Sequence, residues 1–487
     1  MTERLLRYFK RAAVVAVIAL VVLLGSRIYD SQRGAPLDLW HTFAPHEMTP
    51  EALDHADWPA FLRAEETIFG EVAREVTQKL PKDDEVPTNR YFSGSPVYPG
   101  RFAQDWNRSY ELVPEGPPKG AVVLLHGLTD SPYSLRHIGR AYFERGFAVV
   151  APRLPGHGTT PGALAKVTWE DWMAATRLAV REARAKAPAP APLEIVGFSN
   201  GGALALKYAL DAIEDENLAR PSRLVLISPM VGITRFARFA GLAGLPAFFP
   251  AFAKAAWLGV VPEFNPFKYN SFPVNGARQS YAVTQVLQGR LAALSQEERL
   301  KALPPILTFQ SVVDFTVSTR AIIASLYNLL PAGGGHELVL FDLNRNAVFG
   351  QMLRLTADDA LNRLLPPPPR AFAVSVVANA SAATTQAVER RVEAGSSAEE
   401  TRPLSLSFPP GVFSLSHVAL PFPLNDPLYG LQPDLNEDFG VNLGALAPRG
   451  ERGTLIVSLD SLLRMSSNPF FPYMLERIMA RAGQPAP

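Results

Sequence analysis

Short runs of apolar residues alternate along this chain with longer segments in which apolar residues recur at helical spacing. The runs predict strands at Ser109–Val113, Ala121–Leu125, Ala148–Ala151, Leu193–Val196, Arg223–Ile227, Pro305–Gln310 and Glu337–Phe341. The longer segments predict helices at Trp58–Leu80, Trp169–Lys186 and Gly202–Ala212. Short strands that are apolar throughout, with helices between them, predict an α/β fold in which a mostly parallel central sheet is flanked by helices.

Two segments interrupt the alternation. The first, residues 231–303, is rich in Phe, Leu, Ala and Pro, with seven phenylalanines and Trp257 between Phe236 and Phe267. We predict that it forms an apolar lid over the carboxyl edge of the sheet. The second, at about 345–405, contains a strand-like Phe372–Ala378 and a helix-like Thr384–Glu393. It is therefore interpreted as a strand–helix insertion into the core.

These interruptions divide the chain into five parts. We expect a basic stretch and membrane anchor at 1–30, followed by an extension at 31–108 with one helix packed on the core. The core itself occupies 109–230 and 304–480, and the lid at 231–303 separates its two halves.

The first thirty residues carry the signal for a membrane. Arg4, Arg7, Lys10 and Arg11 precede the apolar run 12–25, whose fourteen residues span roughly 21 Å as a helix. No A-x-A cleavage pattern follows the run, which favours a signal anchor lengthened by flanking apolar residues over a cleaved signal peptide. The basic head predicts a cytoplasmic amino terminus and a single pass through the inner membrane of a bacterial source, with the remaining chain outside. Secretion after cleavage is the alternative.

Composition narrows the possible partners. The chain has 47 Lys and Arg against 46 Asp and Glu, so it offers no general field for nucleic acid. It has no cysteine, which excludes disulfides, a thiol nucleophile and a thiolate zinc site. We expect no metal and no cofactor.

The sharpest chemical feature is the pentapeptide Gly197-Phe198-Ser199-Asn200-Gly201, which joins a predicted strand directly to a predicted helix. Such a junction forces a tight turn, and glycine at both ends removes Cβ atoms that would clash there. Ser199 is therefore predicted to be an exposed nucleophile at the turn. The alternative is an ordinary turn with a capping serine.

An acyl-transfer serine needs two backbone N–H donors for the developing oxyanion. Asn200, directly after the nucleophile, supplies one, and Leu128, in the loop after the strand Ala121–Leu125, is the candidate for the other. We expect His126 and Gly127 to support this loop and not to act as the base.

Serine also needs a base and an orienting carboxylate, which in this strand order follow as acid and then histidine. Of the eight histidines, only His336 and His417 lie late enough, and His336 precedes a strand and so lies at the wrong edge. His417 is thus predicted to be the base. Asp314, after the strand Pro305–Gln310, is the predicted acid, with Asp342 and Asp426 as rivals.

Four motifs in order resemble the α/β-hydrolase superfamily, in particular its monoacylglycerol lipase, carboxylesterase and serine aminopeptidase-like branch: VVLLHGLTDSPYS, VVAPRLPGHGTTP with WEDW, IVGFSNGG and ILTFQSVVDFTV. The resemblance covers about residues 119–341. It implies that Ser199 is the nucleophile and Asp314 the acid, and that the Leu128 and Asn200 N–H groups form the oxyanion hole. It also implies that His157, in Gly-His-Gly, shapes a pocket loop.

The chain departs from this family after its last predicted core strand, Glu337–Phe341. The family's catalytic histidine normally follows that strand, and here residues 344–346 contain none, so the resemblance must skip the insertion to reach His417. We expect a membrane-anchored hydrolase of esters or thioesters with apolar acyl groups. A peptidase is the second interpretation, although Glu263 is the only evident acidic group in the lid for a substrate amine. A non-catalytic binding or scaffold protein on this fold is the third.

Overall fold

The computed structural model describes residues 2–31, 33, 36–232, 250–346, 360–446, 457 and 462–483. Its strands are β1 Tyr110–Leu112, β2 Gly120–Leu125, β3 Phe147–Ala151, β4 Leu193–Phe198, β5 Arg223–Ile227, β6 Trp257–Gly259, β7 Phe272–Pro273, β8 Ile306–Ser311, β9 Glu337–Phe341, β10 Ala373–Asn379, β11 Gln386–Val392 and β12 Glu399–Ser407. Its α-helices are α1 Thr2–Ser31, α2 Leu39–Thr42, α3 Pro50–His55, α4 Trp58–Glu75, α5 Arg136–Glu144, α6 Pro161–Leu164, α7 Trp169–Lys186, α8 Asn200–Glu214, α9 Val274–Gln296, α10 Thr319–Ser325, α11 Ala360–Leu364 and α12 Phe471–Ala480.

Ten of these strands form one sheet in the order β1-β3-β2-β4-β5-β8-β9-β10-β11-β12. The run from β3 to β10 is parallel, while β1, β11 and β12 pair antiparallel at the two edges. From β2 the chain continues to β3, which lies on one side of β2 in the sheet, and then to β4, which lies on the other side of β2. Loops after β2 and β4 therefore meet at the carboxyl edge, where open parallel sheets bind ligands.

The parallel strands of the sheet are buried on both faces, which explains their short apolar runs. In β2, Ala121, Val123 and Leu125 enter one core together with α4, α7 and α8, whereas Val122 and Leu124 enter a second core with α5 and α12. Successive strand residues point to opposite faces, so both sets must be apolar. The predicted α/β class with a mostly parallel sheet is confirmed.

The insertion before His417 differs from its predicted form. The strand expected at Phe372–Ala378 is β10, but the helix expected at Thr384–Glu393 is wrong, because Gln386–Val392 forms β11 between β10 and β12. Ala, Glu and Arg in this segment favour a helix locally, yet hydrogen-bonded neighbours on both sides stabilise the extended backbone. The insertion widens the sheet by three strands instead of adding a strand and a helix.

The extension contains three α-helices within residues 36–108, not the single helix predicted, although α2 and α3 have only four and six residues. The predicted packing is present: Leu53, Trp58 and Phe61 lie in the core beside the sheet. The lid interpretation falls partly on residues 233–249, which lie outside the described residues. The described remainder holds the short β6–β7 pair and the long helix α9.

Helix α1 contains the one segment, among the described residues, that is long and apolar enough to cross a membrane. This segment runs from Arg7 to Ser26 and none of it is buried. Its length and composition suit a membrane anchor, and a signal sequence near an amino terminus has the same properties.

Candidate active site

Ser199 occupies the sharp turn between β4, which ends at Phe198, and α8, which begins at Asn200. Its backbone has a φ of +54° and a ψ of −114°, a strained conformation for a residue with a side chain. A Cβ on Gly197 would overlap the carbonyl oxygen of Gly201, and one on Gly201 would overlap that of Leu125. Both glycines are therefore required by close backbone approach, as the sequence predicted.

The structure brings Ser199, His417 and Asp314 into one hydrogen-bonded line at the carboxyl edge. His417 Nε2 lies 2.9 Å from Ser199 Oγ, and His417 Nδ1 lies 3.0 Å from Asp314 Oδ2. The carboxylate can only accept, so Nδ1–H donates to it and Nε2 is left to accept from the serine hydroxyl. Ser199 is 7% exposed and His417 is 5% exposed, which keeps both bonds largely out of water.

Asp314 is held as a carboxylate by its donors. Burial by itself raises its pKa, but His417 and the hydrogen bonds outweigh burial and lower the pKa below its usual value. Its Oδ1 accepts from the N–H groups of Thr316 and Val317 at 2.8 and 2.9 Å, and Gln310 Nε2 donates to Oδ2 at 3.1 Å. Every described donor therefore favours the charged form that orients the imidazole.

The two expected oxyanion donors border the same turn. Asn200 is the first residue of α8, where backbone N–H groups have no intrahelical acceptor. In the described part of the chain no acceptor takes the N–H of Leu128. A Cβ on Gly127 would lie 3.3 Å from Ser199 Cβ, so the loop after β2 closely approaches the serine. Both the oxygen and the nitrogen of the Asn200 side-chain amide are buried, and neither has a hydrogen-bond partner among the described residues.

His126 and His157 form hydrogen bonds with backbone groups of the neighbouring loops. Leu154 donates its N–H to His126 Nε2 at 3.0 Å, and His126 Nδ1 donates to the Gly127 carbonyl at 2.9 Å. His157 Nδ1 donates to the Pro155 carbonyl at 3.0 Å. Burial lowers the pKa of His126 well below its usual value and that of His157 to about 4, so both rings are neutral near pH 7.

The rival residues lie in other environments. His336 precedes β9 at the amino edge, where it accepts from the Ile306 N–H, and burial lowers its pKa to about 4. Asp342 pairs with Arg345 at 3.3 Å. Asp426 accepts from Tyr133, Arg136 and His137 and caps the turn that follows it, so the expected turn role is accompanied by an ion pair. Among the described residues, no group of three or more His, Cys, Asp or Glu could hold a metal ion.

A family model described as serine aminopeptidase, S33, matches residues 116–316. That stretch contains strands β2 to β5 and β8, the turn at Ser199 and the loop at Asp314. This match supports the α/β-hydrolase superfamily for the part of the chain that carries Ser199 and Asp314.

Similarity of this chain to individual proteins is confined to parts of each. It is 35% identical over 95 residues to a thermostable monoacylglycerol lipase of Bacillus sp. (strain H-257), covering 20% of this chain and 36% of that protein. It is 44% identical over 52 residues to a carboxylesterase of Bacillus subtilis (strain 168), covering 11% and 21%. The chain thus spans about a third or less of these curated relatives. A solved structure of a soluble monoglyceride lipase variant from Saccharomyces cerevisiae, in complex with a substrate analog, is similar at 18% identity and a TM-score of 0.35, over 48% of this chain and 81% of that one.

Residues that the motifs did not indicate hold His417 in place despite the departure from the family pattern. Asn344, in the loop directly after β9, donates its side-chain N–H groups to the carbonyls of Pro409 and Val412 at 3.1 and 2.8 Å. Its backbone N–H donates to the Phe413 carbonyl at 2.8 Å. Asn344 thus lies where the similar family usually carries its histidine, and it binds the segment that follows the inserted strands and leads to His417. Nothing in the sequence identifies the partners of Asn344, because they lie more than sixty positions away.

Proposed function

We propose that this chain hydrolyses carboxylic esters or thioesters with apolar acyl groups through an acyl-enzyme on Ser199. The observation that carries the proposal is the position of His417, within hydrogen-bond distance of both the Ser199 hydroxyl and the Asp314 carboxylate. This is the arrangement that activates a serine hydroxyl, a weak nucleophile without an adjacent base.

The proposed reaction proceeds in two halves. His417 Nε2 removes the Ser199 proton as Oγ attacks the carbonyl carbon, and the resulting oxyanion accepts from the N–H groups of Leu128 and Asn200. His417 then transfers its proton to the departing alkoxide or thiolate, which leaves an acyl ester on Ser199. Water, deprotonated by the same imidazole, releases the carboxylic acid. Asp314 fixes the tautomer of His417 and stabilises the imidazolium throughout.

The substrate class is supported by the names of the two curated relatives and by the apolar lid. Two of the lid phenylalanines, Phe264 and Phe267, are buried in a cluster with Tyr133 and Phe422, so these two contribute to packing. Most of the other phenylalanines between Phe236 and Phe267 lie within 233–249, outside the described residues, so the acyl pocket is proposed from their apolar composition. It also places the catalytic domain on the outer side of an inner membrane, anchored through residues 12–25.

A peptidase is the second candidate, because the matching family model is described as a serine aminopeptidase. A lid carboxylate would then have to bind the substrate amine. Glu263 instead accepts from the backbone N–H groups of Asn270 and Ser271 at 2.9 and 2.7 Å and is 1% exposed. This engagement favours the esterase over the peptidase.

A fluorophosphonate probe tests the nucleophile, since only an activated serine reacts rapidly. We expect the wild type to be labelled and Ser199→Ala to be unlabelled, while Ser228→Ala, a change at another buried serine with positive φ, retains labelling. The variant His417→Ala should lose about four to six orders of magnitude in ester turnover, as loss of a triad base does. Equal labelling of the wild type and Ser199→Ala would contradict the proposal and favour a non-catalytic binding protein. Faster cleavage of aminoacyl amides than of esters would favour the peptidase.

A further inference from the structure

Four large apolar side chains are exposed around the acid and the base of the candidate site. Phe315 is 88% exposed and Val313 38%, and these two residues flank Asp314; Phe413 is 50% exposed and Leu463 61%. We call these four residues the apolar ridge. Scattered apolar residues on a surface need no explanation, but several large ones in one region mark an interaction site.

Hydrogen bonds join the three segments of the chain that carry the ridge. Arg464, next to Leu463, donates from Nη2 to the Thr316 hydroxyl at 2.5 Å. Ser416, which precedes His417, donates from Oγ to the Arg464 carbonyl at 2.7 Å. These bonds link the loop after β8, the segment before His417 and the carboxyl-terminal segment at the carboxyl edge of the sheet.

Within the three segments that carry the ridge, the exposed charged side chains are both positive. Residues 311–325, 409–418 and 462–468 contain only three charged side chains, namely Asp314, Arg320 and Arg464. The Asp314 side chain is buried against His417, whereas Arg320 and Arg464 are exposed. An apolar surface flanked by exposed arginines is complementary to a lipid surface with anionic headgroups.

Helix α1 and the lid are in contact. The 3₁₀ turn Pro250–Ala256 contacts α1, and Lys254 Nζ donates to the backbone carbonyl of Arg33, just beyond the end of that helix. The lid starts beside the acid loop, since Ser318 donates its N–H to the Gly232 carbonyl at 3.0 Å. The lid therefore contacts α1 at one described end and the acid loop at the other.

We propose that the apolar ridge inserts into the interfacial region of the bilayer that holds α1, with Arg320 and Arg464 against anionic headgroups. This inference rests on the membrane-anchor part of the proposed function and does not depend on catalysis. It places the acid and base loops against the lipid, so that an ester within the bilayer reaches Ser199 without passing through water.

The absence of cysteine permits a direct test with single-cysteine variants of the full chain. The ridge variants Phe315→Cys, Phe413→Cys and Leu463→Cys are labelled with an environment-sensitive fluorophore and reconstituted in vesicles of phosphatidylcholine and phosphatidylglycerol. Val21→Cys, within α1, reports on the anchor. Phe143→Cys is the matched control, because it is 36% exposed at the end of α5, at the opposite edge of the sheet.

We expect a quencher attached to the lipid chains to quench the labels at the ridge and at position 21, while an aqueous quencher reaches only the label at position 143. Quenching at position 21 with water-accessible ridge labels would overturn the inference and leave the anchor intact. A water-accessible label at position 21 would overturn both. Ridge labels shielded from both quenchers would indicate a second copy or a protein partner and would also overturn it.

A hydrolysis assay separates docking from chemistry. Leu463→Glu places a charge in the ridge, and we expect turnover of an ester embedded in vesicles to fall about tenfold, the loss that corresponds to removing one buried apolar side chain. Turnover of a short, water-soluble ester should be unchanged. Equal turnover of the embedded ester by Leu463→Glu and by the wild type would contradict the inference. The variant Ser199→Ala should lose turnover of both esters, and that result bears only on the proposed function.

Discussion

The buried carboxylate of Asp426 offers the most quantitative test of how the chain positions His417. The Asp426 side chain has no exposed surface and accepts from Arg136 Nη1 at 2.7 Å, His137 Nε2 at 2.9 Å and the Tyr133 hydroxyl at 2.9 Å. These donors follow the loop after β2, while Asp426 lies nine positions after His417. The ion pair therefore links the segment that carries His417 to the segment that follows Leu128.

The substitution Asp426→Asn removes the charge from the partner of Arg136, whose side chain is 5% exposed. Among the described residues, Glu437 at 3.5 Å is then the one acidic group paired with Arg136, and the Tyr133 ring lies 3.8 Å from the guanidinium. Removing one partner of a buried ion pair costs about 3–5 kcal/mol, because the remaining charge stays buried without compensation. An unfolding entropy of roughly 2.1 cal/mol/K per residue gives about 1 kcal/mol/K for a chain of this length, so Tm should fall by about 3–5 °C. Asp434→Asn, an exposed change in the same segment, is the matched control and should leave Tm unchanged.

The effect has a defined pH dependence. Burial alone raises the pKa of Asp426, but Arg136 and the other donors outweigh burial and hold the pKa well below its usual range. A carboxyl whose pKa is depressed on folding stabilises the protein above its unfolded pKa, about 4, and loses that contribution as the pH falls toward the folded value. The Tm difference between wild type and Asp426→Asn should be complete at pH 7 and should shrink below about pH 4.

Thermal unfolding of the full chain in detergent micelles measures both effects. The double variant Arg136→Met, Asp426→Leu should be less destabilised than the sum of its single changes, since it leaves no unpaired charge. A Tm for Asp426→Asn equal to that of Asp434→Asn, or additive single changes, would refute the ion pair as the fastening between the two segments.

Two further changes test the candidate site. Asp314→Asn should reduce ester kcat by about four orders of magnitude, because the amide fixes the wrong tautomer of His417. Asp342→Asn should have a mild effect. The reverse ranking of the two variants in steady-state kinetics would assign the role of the acid to Asp342. Asn344→Ala should lower kcat roughly ten- to a hundredfold by loosening the segment before His417, with KM nearly unchanged. Asn346→Ala is the control and should retain turnover. Among the described residues, the Asn346 side chain donates a hydrogen bond only to the Ala382 carbonyl. Unchanged kcat in Asn344→Ala would show that the base is held by other contacts.

The sequence was sufficient to predict those features that depend on residues close together along the chain. Short, mainly apolar runs predicted the strands of the sheet, since a strand buried on both faces is apolar at most of its positions. The order strand, Gly-x-Ser-x-Gly, helix predicted the turn at Ser199, because only glycine tolerates the backbone approach at Gly197 and Gly201. Elimination by position along the chain was enough to nominate His417 and Asp314.

Tertiary structure decided what depends on residues distant in sequence. Helix-favouring residues at 386–392 form β11 because two neighbouring strands supply its hydrogen bonds, and pairing partners are not encoded locally. The distance from His417 to Ser199 depends on three added strands and on Asn344 and Asp426, which hold the returning segment at both ends. Sequence thus determined which side chains can carry the chemistry, while long-range packing determined that they meet, because contact geometry is a property of the folded chain and not of any single segment.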